Sequence, residues 1–495
     1  MAARLTRRRF VRVGGVGVGA ALAGLLPEAA ARAAMQSGHG HELPRRAAGE
    51  LSGIPPWAFD VDGNGIIDEH DRAHIAAAVG TQRGVDPVPL EGYDYRADLF
   101  GRGSVTTDDL DAFDAEAIFG PAPPRPVVMC WHYGWYHPTR RQGEATTTTY
   151  LGGDYLSDDA LVAERFHALK NEFGITADLL SWIDPSIGFE PTLGNYDRGY
   201  FAAPGVATRR FGWLYETAIN LGSSAPMSLA PGTGQRERLV ENFRQMALRM
   251  VDPTTGGLYG NVLQIDGRPV VYLFASHLLG TSVLSLIDVV RALDEARRVF
   301  IEAAGVAPYL IGDESPFLEE LELLDPGRRL RATFCDAVTR YHHYDENLVA
   351  AFALGGPVHL GGAYLDRVLG LERRAIAAFA GVRNRFTGAP VLVIPSSAAG
   401  FAKAGFPTLL SSRGDYERLL RATRALAEQH RATLAADSAG AAIPPVAPAI
   451  VGSWNEEFEG HAVFPVSRSE ALVRGTRDGF EWPSAIKQVY GSSSV

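Results

Sequence analysis

Eight short apolar runs, separated by helical or irregular stretches, occupy the chain after residue 126 and limit its architecture more than any other feature. They span 127–133, 177–183, 225–230, 269–276, 308–312, 337–341, 390–395 and 448–454. Runs of this length with little polar alternation suit strands buried on both faces, as in a parallel sheet. Helical patterns lie between them at 158–173, 236–251, 285–303, 367–379 and 415–430. Repeated strand–helix alternation predicts an α/β fold, a (β/α)8 TIM-like barrel with long loops over 127–495. An open doubly wound sheet is the competing arrangement, but no Gly-rich phosphate loop follows the first run.

Barrels of this kind present their chemistry at the C-terminal ends of the strands. The first run ends in Trp131-His132-Tyr133-Gly134-Trp135-Tyr136 and the second in Trp182-Ile183-Asp184; Asp313-Glu314 follows the fifth, and Tyr341-His342 closes the sixth. Aromatic faces beside acids and histidines suit a sugar ring, which offers C–H patches for stacking and hydroxyls for hydrogen bonds. Core packing is the competing role for each aromatic residue. The eighth run breaks into Ser453-Trp454-Asn455-Glu456-Glu457-Phe458-Glu459-Gly460. On an extended strand residues three apart face opposite sides, whereas a turn before Gly460 brings Glu456 and Glu459 together. These two are the candidate catalytic pair, with Trp454 and Asn455 added to the candidate binding residues; a solvated acidic loop is the alternative. The chain has neither a G-x-S-x-G nucleophile elbow nor an H-E-x-x-H zinc motif.

The N-terminal 126 residues have a different character. Thr6-Arg7-Arg8-Arg9-Phe10, a Gly- and Ala-rich apolar run to Leu26, and Ala31-Arg32-Ala33 form the three regions of an export signal, here of the twin-arginine kind, with cleavage expected after Ala33. The apolar run is shorter than the roughly 20 residues a membrane span needs. The expected location is therefore periplasmic or extracellular. Residues 34–53, with His39 and His41, read as a disordered linker.

Residues 60–71 then place Asp60, Asp62, Asn64, Asp68 and Asp71 at positions 1, 3, 5, 9 and 12 of a twelve-residue loop. Gly65 stands at position 6 and the carbonyl of Ile66 at position 7. That is the oxygen pattern a structural Ca2+ ion requires. A second loop, 98–109, keeps Asp98, Gly103 and Asp109 but has Phe100 and Arg102 at positions 3 and 5, so the spacing persists while its metal site is expected to be lost. A helical pattern follows each loop, giving a small all-α domain over 54–120. Pro121-Ala122-Pro123-Pro124-Arg125-Pro126 reads as a stiff link to the barrel.

Removing residues 1–33 takes away six arginines and one glutamate, moving the formal charge from −10 to −15. Such a balance disfavours nucleic acid or an anionic membrane as partner. Cys130 and Cys335 sit in separate apolar runs and are expected to be free buried thiols.

Two resemblances follow from these motifs. The region 54–120 resembles a dockerin-type, EF-hand-like calcium module, which implies a possible scaffold-protein partner. The motifs Trp131-His132-Tyr133-Gly134-Trp135-Tyr136, Gly267-Arg268-Pro269-Val270-Val271-Tyr272 and Ser453-Trp454-Asn455-Glu456-x-x-Glu459-Gly460 resemble glycoside hydrolase family 99, which contains endo-α-mannosidases. That resemblance implies an oligo- or polysaccharide substrate and no cofactor for catalysis. It gives Glu456 the task of deprotonating the sugar 2-hydroxyl for attack on the anomeric carbon, and Glu459 that of general acid, then base, in a retaining reaction that departs from the usual nucleophile scheme. The sequence departs from the family's W-N-E-W-x-E-G pattern at Glu457 and Phe458, which leaves the sugar open. A carbohydrate-binding or calcium-dependent adhesion protein on a non-catalytic barrel is the alternative.

Overall fold

The computed structural model describes residues 53–83, 93–136, 155–187, 192–222, 227–280, 283–314, 326–341, 349, 357–402, 408–438, 443–456, 462–466 and 479–491. Eight parallel strands form the central sheet: β1 Val128–His132, β2 Ala177–Trp182, β3 Arg210–Glu216, β4 Arg268–Phe274, β5 Tyr309–Asp313, β6 Ala337–Thr339, β7 Leu392–Val393 and β8 Ala449–Ser453. From β1 to β7 each pairs with its neighbours in sequence, and β8 pairs with β1. A parallel bridge from Ser396, just past β7, to Ile450 of β8 closes the ring.

The third strand differs from the expectation. It is Arg210–Glu216, pairing with β2 and β4, whereas among the described residues of the expected 225–230 run only Met227 forms a bridge, to Leu279. Every residue of Arg210–Glu216 after Arg210 is buried, and the aromatic residues Phe211, Trp213 and Tyr215 fill the space toward the helices. Bulky rings packed on a pleated surface outweigh the small apolar residues near Pro226, whose missing N–H would interrupt a central ladder.

Strand geometry sorts side chains into two sets, because alternate residues point to opposite faces. Met129, Leu179, Leu214, Tyr272 and Ile311 belong to the inner core, while Leu180, Trp213, Val271 and Leu310 meet the surrounding helices. Those helices include Ala160–Glu172, Gln235–Leu248, Val283–Ala304, Gly362–Phe379 and Arg413–Asp437. Asp159 caps the first through Leu161 N at 2.8 Å, and Ser412 caps the last. Between β1, β2 and Ala160–Glu172 lies a buried charged network. Asp178 accepts from Lys170 Nζ at 2.6 Å, Tyr200 Oη at 2.7 Å and Arg209 Nη2 at 3.1 Å, and Cys130 Sγ lies 3.3 Å away. Both cysteines are free and buried.

Residues 53–83 and 93–125 form two loop–helix units around a small core that includes Phe59, Ile75, Leu99 and Phe113. Their helices are Glu69–Ala78 and Thr107–Glu116, each opened by a reciprocal capping box, Asp68 with Asp71 and Thr106 with Asp109. Ile66 and Ile67 pair antiparallel with Pro121 and Gly120, so this region is not purely helical and the proline-rich stretch begins as part of it. Arg125 donates to the carbonyls of Trp57 and Asp60 at 2.9 and 2.8 Å. The unit meets the barrel through Arg83 and Glu172 at 2.6 Å and through Trp57 Nε1 and the Tyr490 carbonyl at 2.8 Å. Glu172 lies just before β2 begins, which puts this contact near the N-terminal ends of the strands, away from the ends that carry the candidate site. Among the described residues no helix is long and apolar enough to cross a membrane.

Candidate functional site

The C-terminal ends of β1, β6 and β8 converge on an aromatic cluster. Trp131 packs on Tyr341 with ring centroids 4.4 Å apart, Tyr133 stacks on Trp135 at 4.3 Å, and the Tyr133 and Tyr341 hydroxyls are 2.7 Å apart. Phe274 at the end of β4 meets the Tyr341 ring edge-to-face at 4.8 Å. The Trp131 indole N–H is buried and has no hydrogen-bond partner among the described residues, which makes it a donor able to meet a bound hydroxyl.

Asn455 ties β8 to this cluster. Its Oδ1 accepts from Tyr133 N at 2.9 Å, and its Nδ2 donates to Tyr133 O at 2.9 Å and to Tyr155 Oη at 3.0 Å. Tyr136 in turn packs against Tyr155 at 5.5 Å. A register shift between Ile450 and Ser453 bends β8 before the acidic stretch. Gly452 sits there at φ +101, and a Cβ would stand 3.3 Å from Ala398 Cα, so a larger residue would strain both backbones. Glu456 follows with 1% of its surface exposed, its N–H donating to Ser453 Oγ at 2.9 Å. Glu459 and His342 lie outside the described residues, as does Glu457.

Several expected binding residues lie away from the cluster: His132 and Trp182 are on the alternate set of their strands, and Asp184, Glu314 and Trp454 lie just past strand ends. The His132 ring lies against Lys170 Nζ at 2.6 Å, on the helix side of β1. Burial first, then the Lys170 charge, pushes its imidazolium well down. Trp182 packs edge-to-face on Trp213 at 5.0 Å and donates to Asn242 Oδ1 on an outer helix. Trp454 lies against Phe166 of Ala160–Glu172 at 5.6 Å. Glu314 pairs with Arg331 at 3.0 Å, beneath Pro326–Ala332. Asp184 accepts from Ser186 N at 2.8 Å in a turn past β2, near Arg238, and does not join the cluster. The contacts of these five lie outside the aromatic cluster.

The misplaced third strand also concealed an acid. Glu216 ends β3 on the inner set, fully buried, and accepts from Ser181 Oγ at 3.1 Å. The signal was present, since 211–216 is an apolar aromatic run ending in a carboxylate, as 449–456 is. Two narrow crevices, one lined by Ile394, Thr423 and Tyr490 and the other by Arg268, Tyr309 and Asp336, lie away from the aromatic cluster.

Asp313 braces the site. Its two oxygens accept from Ala275 N at 2.9 Å and Tyr341 N at 3.1 Å, joining the ends of β4 and β6 across β5. Ala275 is held at φ +53, a conformation that needs such support. Burial pushes the Asp313 carboxyl up to about 7, against the pull of the two backbone donors and Arg328. In the unfolded chain it would ionise near 3.8. Between these values the folded protein holds a proton the unfolded chain has lost, so the stability it contributes is complete below the lower value and is lost as pH rises through the upper. Asp313→Asn is expected to remove that part of the stability–pH slope. It should also lower stability by about 1–3 kcal/mol, because the amide turns its NH2 toward one of the two backbone donors. Denaturant titrations of both proteins from pH 4 to pH 8 would show it, and an unchanged slope would contradict the assignment.

No protein-family model matches the chain, and no curated protein matches it. Solved structures do. A glycoside hydrolase-like protein superimposes with a TM-score of 0.50 at 13% identity, covering 74% of this chain and 94% of its own. Two structures of a GH99 endo-α-mannosidase from Bacteroides thetaiotaomicron give TM-scores of 0.43 and 0.44 at 15% and 13% identity, each covering 74% of this chain and 95% and 96% of theirs. At such identity, the first of these likenesses shows the fold, a curled parallel sheet ringed by helices.

Proposed function

We propose that the chain is a glycoside hydrolase acting on an α-linked glycan or polysaccharide, with Glu456 and Glu459 as its carboxylate pair. The observation that carries this reading is the placement of Glu456. It is a buried carboxylate immediately past β8, and the preceding Asn455 is bonded to both backbone polar groups of Tyr133 in the aromatic cluster. Stacking faces, a donor at Trp131 Nε1 and a desolvated acid are the parts that binding and cleaving a sugar acetal need. In this reading Glu456 removes the proton of the sugar 2-hydroxyl, whose oxygen closes on the anomeric carbon. Glu459 protonates the departing oxygen, then takes a proton from the water that opens the three-membered ring at the anomeric carbon, while Glu456 returns its proton to the 2-oxygen, so configuration is retained. Glu216, on the inner set of β3, is a third carboxylate for positioning hydroxyls.

The test is release of reducing ends from a panel of α-linked glycans and polysaccharides that includes α-mannans, with the product's anomeric configuration followed by NMR. Product retaining the α configuration supports the reading. Measurable glycan binding with no product from any substrate would refute it in favour of a binding protein.

Two further elements belong to this proposal. The twin-arginine leader supports export, and loop 60–71 supports a structural Ca2+ ion. One carboxylate oxygen from each of Asp60, Asp62 and Asp71 lies within 4.8 Å of the others, with Asn64, Asp68 and the Ile66 carbonyl on the same loop. Calcium should raise the melting temperature of the mature chain relative to chelator by mass action, and superimposable melting curves would count against the site.

A further inference from the structure

Loops 60–71 and 98–109 share one backbone pattern. In each, the first carboxylate accepts from the N–H of the sixth residue: Gly65 N to Asp60 Oδ1 is 3.3 Å and Gly103 N to Asp98 Oδ2 is 2.7 Å. In each, the twelfth carboxylate accepts from the ninth N–H, Asp68 N to Asp71 at 2.9 Å and Thr106 N to Asp109 at 2.8 Å. What fills the middle differs. Arg102 stands where the first loop has Asn64, and its guanidinium folds back over the loop, one-third exposed. Nη1 donates to Asp108 Oδ2 at 2.7 Å, and Nη2 donates to Thr106 Oγ1 at 2.8 Å and Asp109 Oδ2 at 2.9 Å.

A second cation arrives from the far end of the chain. Lys487, on the terminal helix Glu481–Tyr490, places Nζ 3.6 Å from Asp98 Oδ2 and donates to Tyr95 O at 2.6 Å. Its stem lies over Gly101, where an added Cβ would be 3.1 Å from Lys487 Cδ. Both side chains are enclosed, at 2% exposure for Lys487 and 0% for Asp98. Phe100 offers no oxygen at position 3, so the donor set does not fit a calcium ion. Two buried carboxylates, Asp98 and Asp109, still require positive charge, and the chain supplies it twice.

We propose that loop 98–109 is a metal-independent latch, in which Arg102 and Lys487 supply the positive charge of a metal ion, Arg102 from within the loop and Lys487 from the terminal helix of the barrel, on which it docks the N-terminal unit. The same helix bonds the rest of the barrel, Trp482 Nε1 donating to Ser411 O at 3.0 Å, and Arg413 reaches back to Phe100 O at 3.4 Å. The latch makes docking independent of calcium in the first loop.

The mature chain in EDTA tests this. Lys487→Met should speed amide hydrogen exchange across residues 93–116 by at least about tenfold relative to the wild type. Equal exchange in the two proteins would overturn the latch. Because the variant could fail to fold, calcium titration calorimetry of the wild-type chain provides a second arm. One equivalent or none fits a second loop already filled, and two equivalents would overturn the proposal.

Discussion

Glu456→Gln is expected to lower glycan turnover by about 10²- to 10⁴-fold, the range a positioned acid or base contributes, while leaving the melting temperature within a few degrees of the wild type. The substitution is isosteric, and the backbone around residue 456 is held by its neighbours. Its N–H bonds Ser453 Oγ, the Asn455 side chain holds Tyr133, and Gly452 bends the strand. A loss in kcat with little change in KM would mark a group acting on the transition state. Near-normal kcat/KM would remove Glu456 from the mechanism. Glu459→Gln should behave alike on substrates with poor leaving groups and recover partly on activated aryl glycosides, whose leaving oxygen needs less protonation.

The largest expected stability effect lies on the opposite side of the same strands. Asp178→Asn should destabilise the protein by about 3–5 kcal/mol, the cost of breaking a buried ion pair by removing one partner. Lys170 and Arg209 are both fully buried against this single carboxylate. Burial works to raise the Asp178 carboxyl, but Arg209 and Lys170 outweigh it and hold it well below the usual range. Its stabilisation is therefore present above the unfolded value of 3.8 and is lost as pH falls below it. Urea titrations at pH 7 and in acid would show a large loss at neutrality and a flatter acid limb in the variant. Adding Lys170→Met should restore part of the loss, since it removes a cation left without its partner. A double variant less stable than either single one would contradict this account.

These two residues show where sequence reasoning reaches and where it stops. Asp178 and Glu456 both lie on or just past strands that were legible as apolar runs, yet only the acid past β8 drew attention as chemistry. Asp178 sits inside an apolar run with its partners on a helix and at the entrance to the next strand. Nothing local announces that Lys170, Tyr200 and Arg209 converge on it. His132, Trp182, Trp454 and Glu314 were identified as strand-end residues, and they are; which side of the strand each faces is a matter of one residue of register. Arg210–Glu216 is itself an apolar aromatic run, passed over for the nearby run at 225–230, because local pattern does not rank two neighbouring apolar runs.

By itself the sequence determined the repeating strand–helix order, the two twelve-residue loops, and the acidic break after the eighth apolar run. Each is encoded in spacings of a few residues, and short-range periodicity expresses them directly. The tertiary structure decided which of two alternate side-chain sets met at the barrel mouth, which acids became braces, and what took the cation's place in the second loop. Those outcomes depend on contacts between distant parts of the chain, such as Lys487 with Tyr95 across 392 positions, and no local pattern carries information about a partner that only folding brings near.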